Sequence, residues 1–581
     1  MRERGVDALL VPRADEHLGE YVPPGGERLA WVTGFTGSAG LAVILAERAA
    51  VFTDGRYTLQ LAAETDGAVY ERRHSVEEPP AGWIAAAQAG ARVGYSPWLH
   101  SEEGLRAFTE AGLVMVPLEP YPVDVAWVGR PGVPGAPAVP HPMAFAGVEA
   151  AEKRGMVGEA LRRAGQDAAV LSDPASIAWL LNIRGADLAY TPVALGFLVA
   201  FADGAVSLFM EGAKLPAATR AWLGNGVRLR EPGELGAAMA ELGGKRVRVD
   251  GAGSPAWFGE RLRAAGAEVV AGGDPCLLPK AVKNAVEQAG ARAAHRRDGV
   301  ALCRFLRWLG GAGGRETECS AAARLVALRA EAAEFRGESF PAISGAGEHG
   351  AVIHYRATAE SDRAIGVDEV YLVDSGAQYP DGTTDVTRTV WTGPGEPPEA
   401  IRERFTRVLQ GHIALAVAVF PAGVAGPHLD ALARRALWEV GLDYDHGTGH
   451  GVGSYLSVHE GPASVSRAGR MVALEAGMIV SDEPGYYEPG AYGIRLENLL
   501  LVQPSEVGVR RPFLRFETLT LAPFDRRLVE VALLAVSERV WVDAYHARVW
   551  AEIGPLLEGE DRDWLERACA PLGRAEIILH R

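Results

Sequence analysis

Four carboxylates and one imidazole lie on or beside apolar, strand-like segments between residues 374 and 497, and a protein core does not accept such charge unless it meets something positive. The five are Asp374 and Asp385 in VDSGAQYPDGTTD, His450 in HGTGHGVG, Glu483 in SDEPGYY and Glu497 in GIRLEN. If they met in one pocket without cations, four like charges would crowd together and most would have to take up protons. Two divalent cations bring four positive charges against four negative, and a donor set this rich in oxygen suits a pair of hard cations better than one zinc ion. The set therefore points to metal-assisted hydrolysis.

The local pattern predicts how these residues are delivered. Residues 369–376 (EVYLVDSG) read as a strand, Asp381-Gly382 as a turn, and residues 383–391 as the returning strand, so Asp374 and Asp385 face each other across a hairpin. Residues 478–482 and 494–502 read as further apolar strands that carry Glu483 and Glu497. Arg495 stands two residues before Glu497, which on a strand places both on one face.

These motifs carry a resemblance. HGTGHGVGSYLSVHEGP, SDEPGYYEPGAYGIRLEN and the hairpin from VDSG to TTDVTRT resemble the aminopeptidase P (Xaa-Pro aminopeptidase) branch of the pita-bread metallopeptidases, family M24. The resemblance implies that Asp374, Asp385, His450, Glu483 and Glu497 ligate two divalent ions per chain, with Asp385 and Glu497 bridging. Manganese is the expected ion, with zinc and cobalt as alternatives. It makes His354, His446 and His459 substrate-facing, pairs Arg495 with Asp374, and gives Glu483 a second role as proton shuttle. We assign His459 to the scissile carbonyl, where a donor stabilises the charge of the tetrahedral intermediate.

The implied reaction is hydrolysis of the N-terminal Xaa-Pro bond by a metal-bridged hydroxide, in peptides with proline at the second position. Two other readings stay open, an Xaa-Pro dipeptidase (prolidase) and a catalytically silent binding protein on the same fold. No serine or cysteine nucleophile is required: none of the 4 Cys lies in these motifs, and no GxSxG elbow accompanies them.

A chain of 581 residues exceeds one core, at about 150 residues per domain. Gly5-Val6-Asp7-Ala8-Leu9-Leu10-Val11 is echoed by Gly165-Gln166-Asp167-Ala168-Ala169-Val170-Leu171, Trp31-Val32-Thr33-Gly34 by Trp179-Leu180-Leu181-Asn182, and VFTDGRY at 51–57 by LFMEG at 208–212. These echoes predict two copies of one α/β unit, joined by a Pro- and Gly-rich linker at 126–142. Helical spacing is expected up to Leu309 from a boundary at 275–279, with a further helix over 316–335.

The expected fold is α/β, becoming α+β in the catalytic part. By resemblance, two creatinase-like N-terminal α/β domains (1–127 and 143–275) precede a pita-bread metallopeptidase domain (280–506) and a C-terminal extension (507–581). GFTGSAG, FTDGRY, RGAD at 184–187 and residues 513–550 match the long, three-domain branch. The extension supplies either a dimer surface or a packed cap, and a homodimer is expected. His349 departs from the family, where a small or polar turn residue is usual, and is read as an exposed loop position. A net charge of −16 argues against nucleic acid. No apolar run approaches the roughly 18 residues a membrane span needs, and the N-terminal run is too short for a signal peptide, so a cytoplasmic enzyme without membrane partners is expected.

Overall fold

The computed structural model describes residues 1–573 and divides into two compact units, Met1–Lys280 and Ala281–Arg581.

The first unit contains the duplication. One six-stranded sheet runs Tyr70–His74, Ala49–Thr53, Leu41–Ile44, Ala8–Pro12, Arg92–Tyr95, Val114–Pro117; the other runs Val227–Arg230, Val206–Phe209, Phe197–Phe201, Ala168–Leu171, Arg246–Val249, Glu268–Ala271. In both, the first three strands in sequence pair antiparallel and the remaining three pair parallel to their neighbours. The echoed residues do equivalent work. Gly5 and Gly165 each take φ 63°, a left-handed turn that a side chain would strain. Asp7 and Asp167 then each accept a backbone N–H at 2.8 Å, from Arg92 and Arg246. Helices Arg28–Thr33 and Pro174–Leu181 both stop on a left-handed residue, Gly34 and Asn182. Between the copies, residues 131–138 carry no regular structure.

The second unit opens on helix Ala285–Leu309, held at its start by a reciprocal cap between Asn284 and Glu287. It begins inside the span predicted from the boundary at 275–279. The next helix, Glu318–Arg329, is shorter than predicted because Thr317 caps its start and the chain turns away after Arg329. Strands Ile343–Ala346, Val370–Ser375 and Val386–Trp391 form one antiparallel sheet. A second sheet orders Val419–Pro421, Phe513–Thr518, Asn498–Ser505, Ile479–Asp482, Gly449–Gly451 and Glu460–Val465. The predicted hairpin is present, but Asp374 pairs with Thr387 and not with Asp385, which lies just before the returning strand, because the tip, Ala377–Tyr379 and Gly382–Thr383, leaves to join Gly337–Glu338 in a separate small sheet.

Two sequence expectations need correction. The strand predicted over 494–502 is two strands, Tyr492–Arg495 and Asn498–Ser505, which belong to different sheets. At the break, the Leu496 N–H donates to the Pro484 carbonyl and the Glu497 N–H to Thr387 (3.3 and 3.2 Å), so neither continues a ladder. His349, expected in an exposed loop, is half-buried in a short 3₁₀ turn, Gly347–Ala351, with Nδ1 2.9 Å from the wholly buried carboxylate of Glu318.

Residues 513–550 pack as a cap. Phe513–Thr518 is a sheet strand, and helix Val536–Ile553 buries Val542, Tyr545, Val549 and Ile553 against Trp391, Phe405, Leu409 and Ile494.

Candidate metal centre

Each of the five candidate ligands sits where regular backbone ends or is too short to bury its own side chain. Asp374 is next to last in its strand, Asp385 comes just before the returning strand, and His450 is central in a three-residue strand flanked by glycines. Glu483 follows Ile479–Asp482 directly, and Glu497 occupies the break between two sheets. Asp385, His450 and Glu497 each place a ligand atom within 4.8 Å of the other two. His450 Nε2 lies 3.4 Å from Asp385 Oδ2 and 3.4 Å from Glu483 Oε1.

Around them runs a set of directional contacts. Arg495 Nη2 donates to Asp374 Oδ2 at 2.7 Å, the predicted pair. Its Nε reaches Thr387 Oγ1 at 3.3 Å, and that hydroxyl donates to Glu497 Oε2 at 2.8 Å. Ser481 Oγ accepts the His450 N–H at 3.0 Å and donates to Glu483 Oε1 at 3.2 Å. The His450 Nδ1 stands 2.9 Å from the Gly451 carbonyl. A carbonyl only accepts, so Nδ1 carries a hydrogen and Nε2, which faces the carboxylates, is the ring atom that could hold a metal ion.

Two buried oxygens, Asp374 Oδ1 and Glu497 Oε1, have no hydrogen-bond partner among the described residues. Buried polar atoms are ordinarily paired, so orphaned carboxylate oxygens beside three further ligand-type groups fit a cationic occupant. Four carboxylates and one imidazole suit two hard divalent ions.

The titration directions agree with a site built for positive charge. Burial lifts Asp374, with Asp385 adding to the effect and Arg495 opposing it. Burial lifts Glu497 well above the usual carboxylate range, and the neighbouring carboxylates add to it. Glu483 rises from 4.5 to about 7, mainly through burial. For His450 burial works downward, but hydrogen bonding to Asp385 and the charges of Glu483 and Asp385 prevail and lift it from 6.5 to about 9.

Both groups thus bind protons more tightly folded than unfolded. Glu483's contribution to stability is complete below pH 4.5 and lost as pH rises towards 7; His450's is complete below 6.5 and lost towards 9. Scanning calorimetry of chelator-treated protein is therefore expected to show Tm falling from pH 5 to 9, with a shallower fall between 5 and 7 in Glu483→Gln. A wild-type Tm that rises over that interval while the variant's does not would contradict it.

The candidate histidines are placed unequally. The exposed ring of His459 meets His450 edge-on, 4.4 Å between centroids. His446 is held in one tautomer, with Nδ1 2.8 Å from the Gly447 carbonyl and Nε2 2.8 Å from Tyr487 Oη, which also receives Arg495 Nη1 at 2.6 Å. His354 is half-buried just after the turn Gly347–Ala351. That segment lies on the Arg495 strand: a Cβ at Gly493 would come 1.7 Å from the Gly350 carbonyl, so only glycine fits there. Glu318, besides His349, receives Tyr355 Oη and the Ala346 N–H at 2.8 Å each and so pins both ends of the His354 turn.

Sequence reasoning missed Thr387, Ser481 and Tyr487. The signal for the first two was strand alternation, since Thr387 is two residues after Asp385 and Ser481 two before Glu483. Tyr487 gave no comparable signal, because it reaches the site from a different hairpin, Gly485–Glu488 with Tyr492–Arg495.

Residues 289–504 match metallopeptidase family M24, and residues 512–572 match the C-terminal region of peptidase M24. Residues 1–120 and 129–287 each match a creatinase/prolidase N-terminal domain. A probable Xaa-Pro aminopeptidase P of Coprinopsis cinerea is 39% identical over 98% of this chain and 97% of its own length. Aminopeptidase P2 of Arabidopsis thaliana is 38% identical over 98% of this chain and 86% of its own. The chain belongs to the aminopeptidase P branch of metallopeptidase family M24.

Among solved structures of the family, the X-prolyl aminopeptidase of Caenorhabditis elegans, described as a cytosolic enzyme with a di-nuclear active site, superposes with TM-score 0.92 at 34% identity, over 97% of this chain and 95% of that one. An Xaa-Pro dipeptidase of Bacillus anthracis shares the fold over 65% of this chain, with TM-score 0.53 and 23% identity. All five candidate ligands fall inside the M24 match. Among the described residues no helix is long and apolar enough to cross a membrane.

Proposed function

We infer that the chain is a metal-dependent aminopeptidase that hydrolyses the N-terminal Xaa-Pro bond of peptides. One observation carries this reading: Asp385, His450 and Glu497 place ligand atoms within 4.8 Å of one another, with Glu483 beside His450 and orphaned oxygens on Glu497 and Asp374, inside a chain that matches aminopeptidases P over nearly its whole length. Asp374, Asp385, His450, Glu483 and Glu497 would hold two divalent ions. Manganese is proposed because four of the five ligands donate oxygen. When bound, two such cations lower the pKa of a water into the neutral range and draw electrons from the scissile carbonyl.

The chain's own groups do the rest. Glu483, beside the imidazole of His450, would take a proton from the attacking water and deliver it to the leaving proline nitrogen. His459 donates to the carbonyl oxygen as it gains charge. Arg495 fixes Asp374 and, through Tyr487, orients His446, while His354 lines the substrate side. The same reading divides the chain at 1–127, 143–275, 280–506 and 507–581, and proposes a cytoplasmic homodimer.

Selectivity for proline has a physical origin. Its nitrogen carries no hydrogen, so a pocket that packs the ring and offers that position no partner penalises any other residue with an unpaired N–H. That costs about 1–3 kcal/mol, or ~10–100-fold in rate. Peptides X-Pro-Z are expected to release X, X-Ala-Z to be cut that much more slowly, and N-acetylated X-Pro-Z to resist cleavage; a chromatographic assay of released X reads all three. Efficient cleavage of the acetylated peptide would remove the aminopeptidase reading, and cleavage of X-Pro but not X-Pro-Z would replace it with a dipeptidase.

A further inference from the structure

Asp374 and Asp385 leave and re-enter the same hairpin, and the ten residues between them, 375–384, wander into another sheet. The hairpin's ladder ends on the rung between Ser375 and Val386, so it holds Asp374 but does not by itself place Asp385, one residue beyond that rung. A buried group outside the ligand set does so. Asp298, on helix Ala285–Leu309, is 2% exposed and accepts four hydrogen bonds. Arg329, the last residue of helix Glu318–Arg329 and 1% exposed, grips it with Nε at 2.8 Å and Nη2 at 3.0 Å. Tyr379 Oη adds a third bond at 3.0 Å and Thr384 Oγ1 a fourth at 3.1 Å. Both carboxylate oxygens are thereby satisfied.

The contacts converge on the chain beside the ligands. Arg329 Nη1 donates to the carbonyl of Gly376, two residues after Asp374. Thr384 immediately precedes Asp385, and its hydroxyl also receives the Ala377 N–H at 3.0 Å. Tyr379 is the tip of the excursion. There is no slack in this corner: a Cβ at Gly376 would fall 2.0 Å from Ser339 Oγ and 2.1 Å from the Thr384 carbonyl. A buried ion pair is roughly break-even for stability against apolar residues of the same volume, so its directional contacts are the better account of its presence.

We propose that Asp298, with Arg329 and Tyr379, forms a positioning set that fixes the spacing of Asp374 and Asp385 and so sets the affinity of the metal centre. The inference rests on the metal-dependent reading of the five ligands. Groups that orient metal ligands from behind typically govern affinity by about 10–100-fold.

The test is titration of chelator-treated protein with manganese alone, by calorimetry, alongside its metal-free Tm. Asp298→Asn is expected to weaken manganese binding by about 10–100-fold, with kcat recovering at high manganese. Tyr379→Phe, which removes one hydroxyl and keeps the ring, is expected to weaken it about 3–10-fold. Folded variants with a lowered metal-free Tm and unchanged manganese affinity would overturn the proposal and leave a purely structural role. If Asp298→Asn does not fold, Tyr379→Phe decides by the same criterion. Wild-type protein with no saturable binding of manganese would instead refute the metal-dependent reading itself, and the proposal with it.

Discussion

Chelation is expected to abolish Xaa-Pro hydrolysis, a loss on the order of 10³-fold or more, because neither a deprotonated water nor a polarised carbonyl is available near neutral pH without the cations. The nearby Ser481 hydroxyl is committed between the His450 N–H and Glu483 and so does not serve as a nucleophile in their place. Elemental analysis of the active protein is expected to give about two divalent ions per chain, the number that balances four carboxylates. Activity should return best with manganese. Glu497→Gln is expected to lower both occupancy and rate, since the side chain loses its negative charge and, with its remaining oxygen accepting from Thr387, puts an amide NH2 where Oε1 stood. One tightly held zinc ion per chain, with manganese without effect, would defeat the dinuclear assignment.

The second large effect separates two adjacent imidazoles. His459→Ala is expected to lower kcat by about 10²–10³-fold, the usual loss for one donor to a developing oxyanion, with metal content near that of the wild type. His450→Ala should instead lose metal, because its Nε2 sits among the carboxylates, 3.4 Å from both Asp385 and Glu483. The rings are only 4.4 Å apart, so proximity alone does not distinguish their roles. Orientation does: His450 presents Nε2 inward with Nδ1 tied to the Gly451 carbonyl, whereas His459 meets it edge-on from the exposed side. An emptied site in His459→Ala would reverse the assignment.

The duplicated first unit and the identities of the candidate ligands were legible in the chain because both depend on local chemistry. A left-handed turn at Gly5 and Gly165, and a carboxylate at Asp7 and Asp167 that accepts from a neighbouring strand, leave a mark within a few residues of sequence. Arg495 does come close to Glu497, but through the Thr387 hydroxyl across a break in the strand rather than by alternation along it. Alternation would have found Thr387 and Ser481 had it been followed outward from each ligand.

What the chain by itself determined was therefore which residues could bear charge in a buried site, and roughly which strands and turns would carry them. Tertiary structure alone decided the break at Leu496–Glu497, the capture of His349 by Glu318, and the grip of Asp298 and Arg329 on the chain around Asp374 and Asp385. The reason is one of range. Propensity and periodicity report on a few neighbouring residues, whereas each of these features depends on hydrogen bonds between segments about 12 to 110 residues apart, whose formation is rewarded only after packing has brought those segments together.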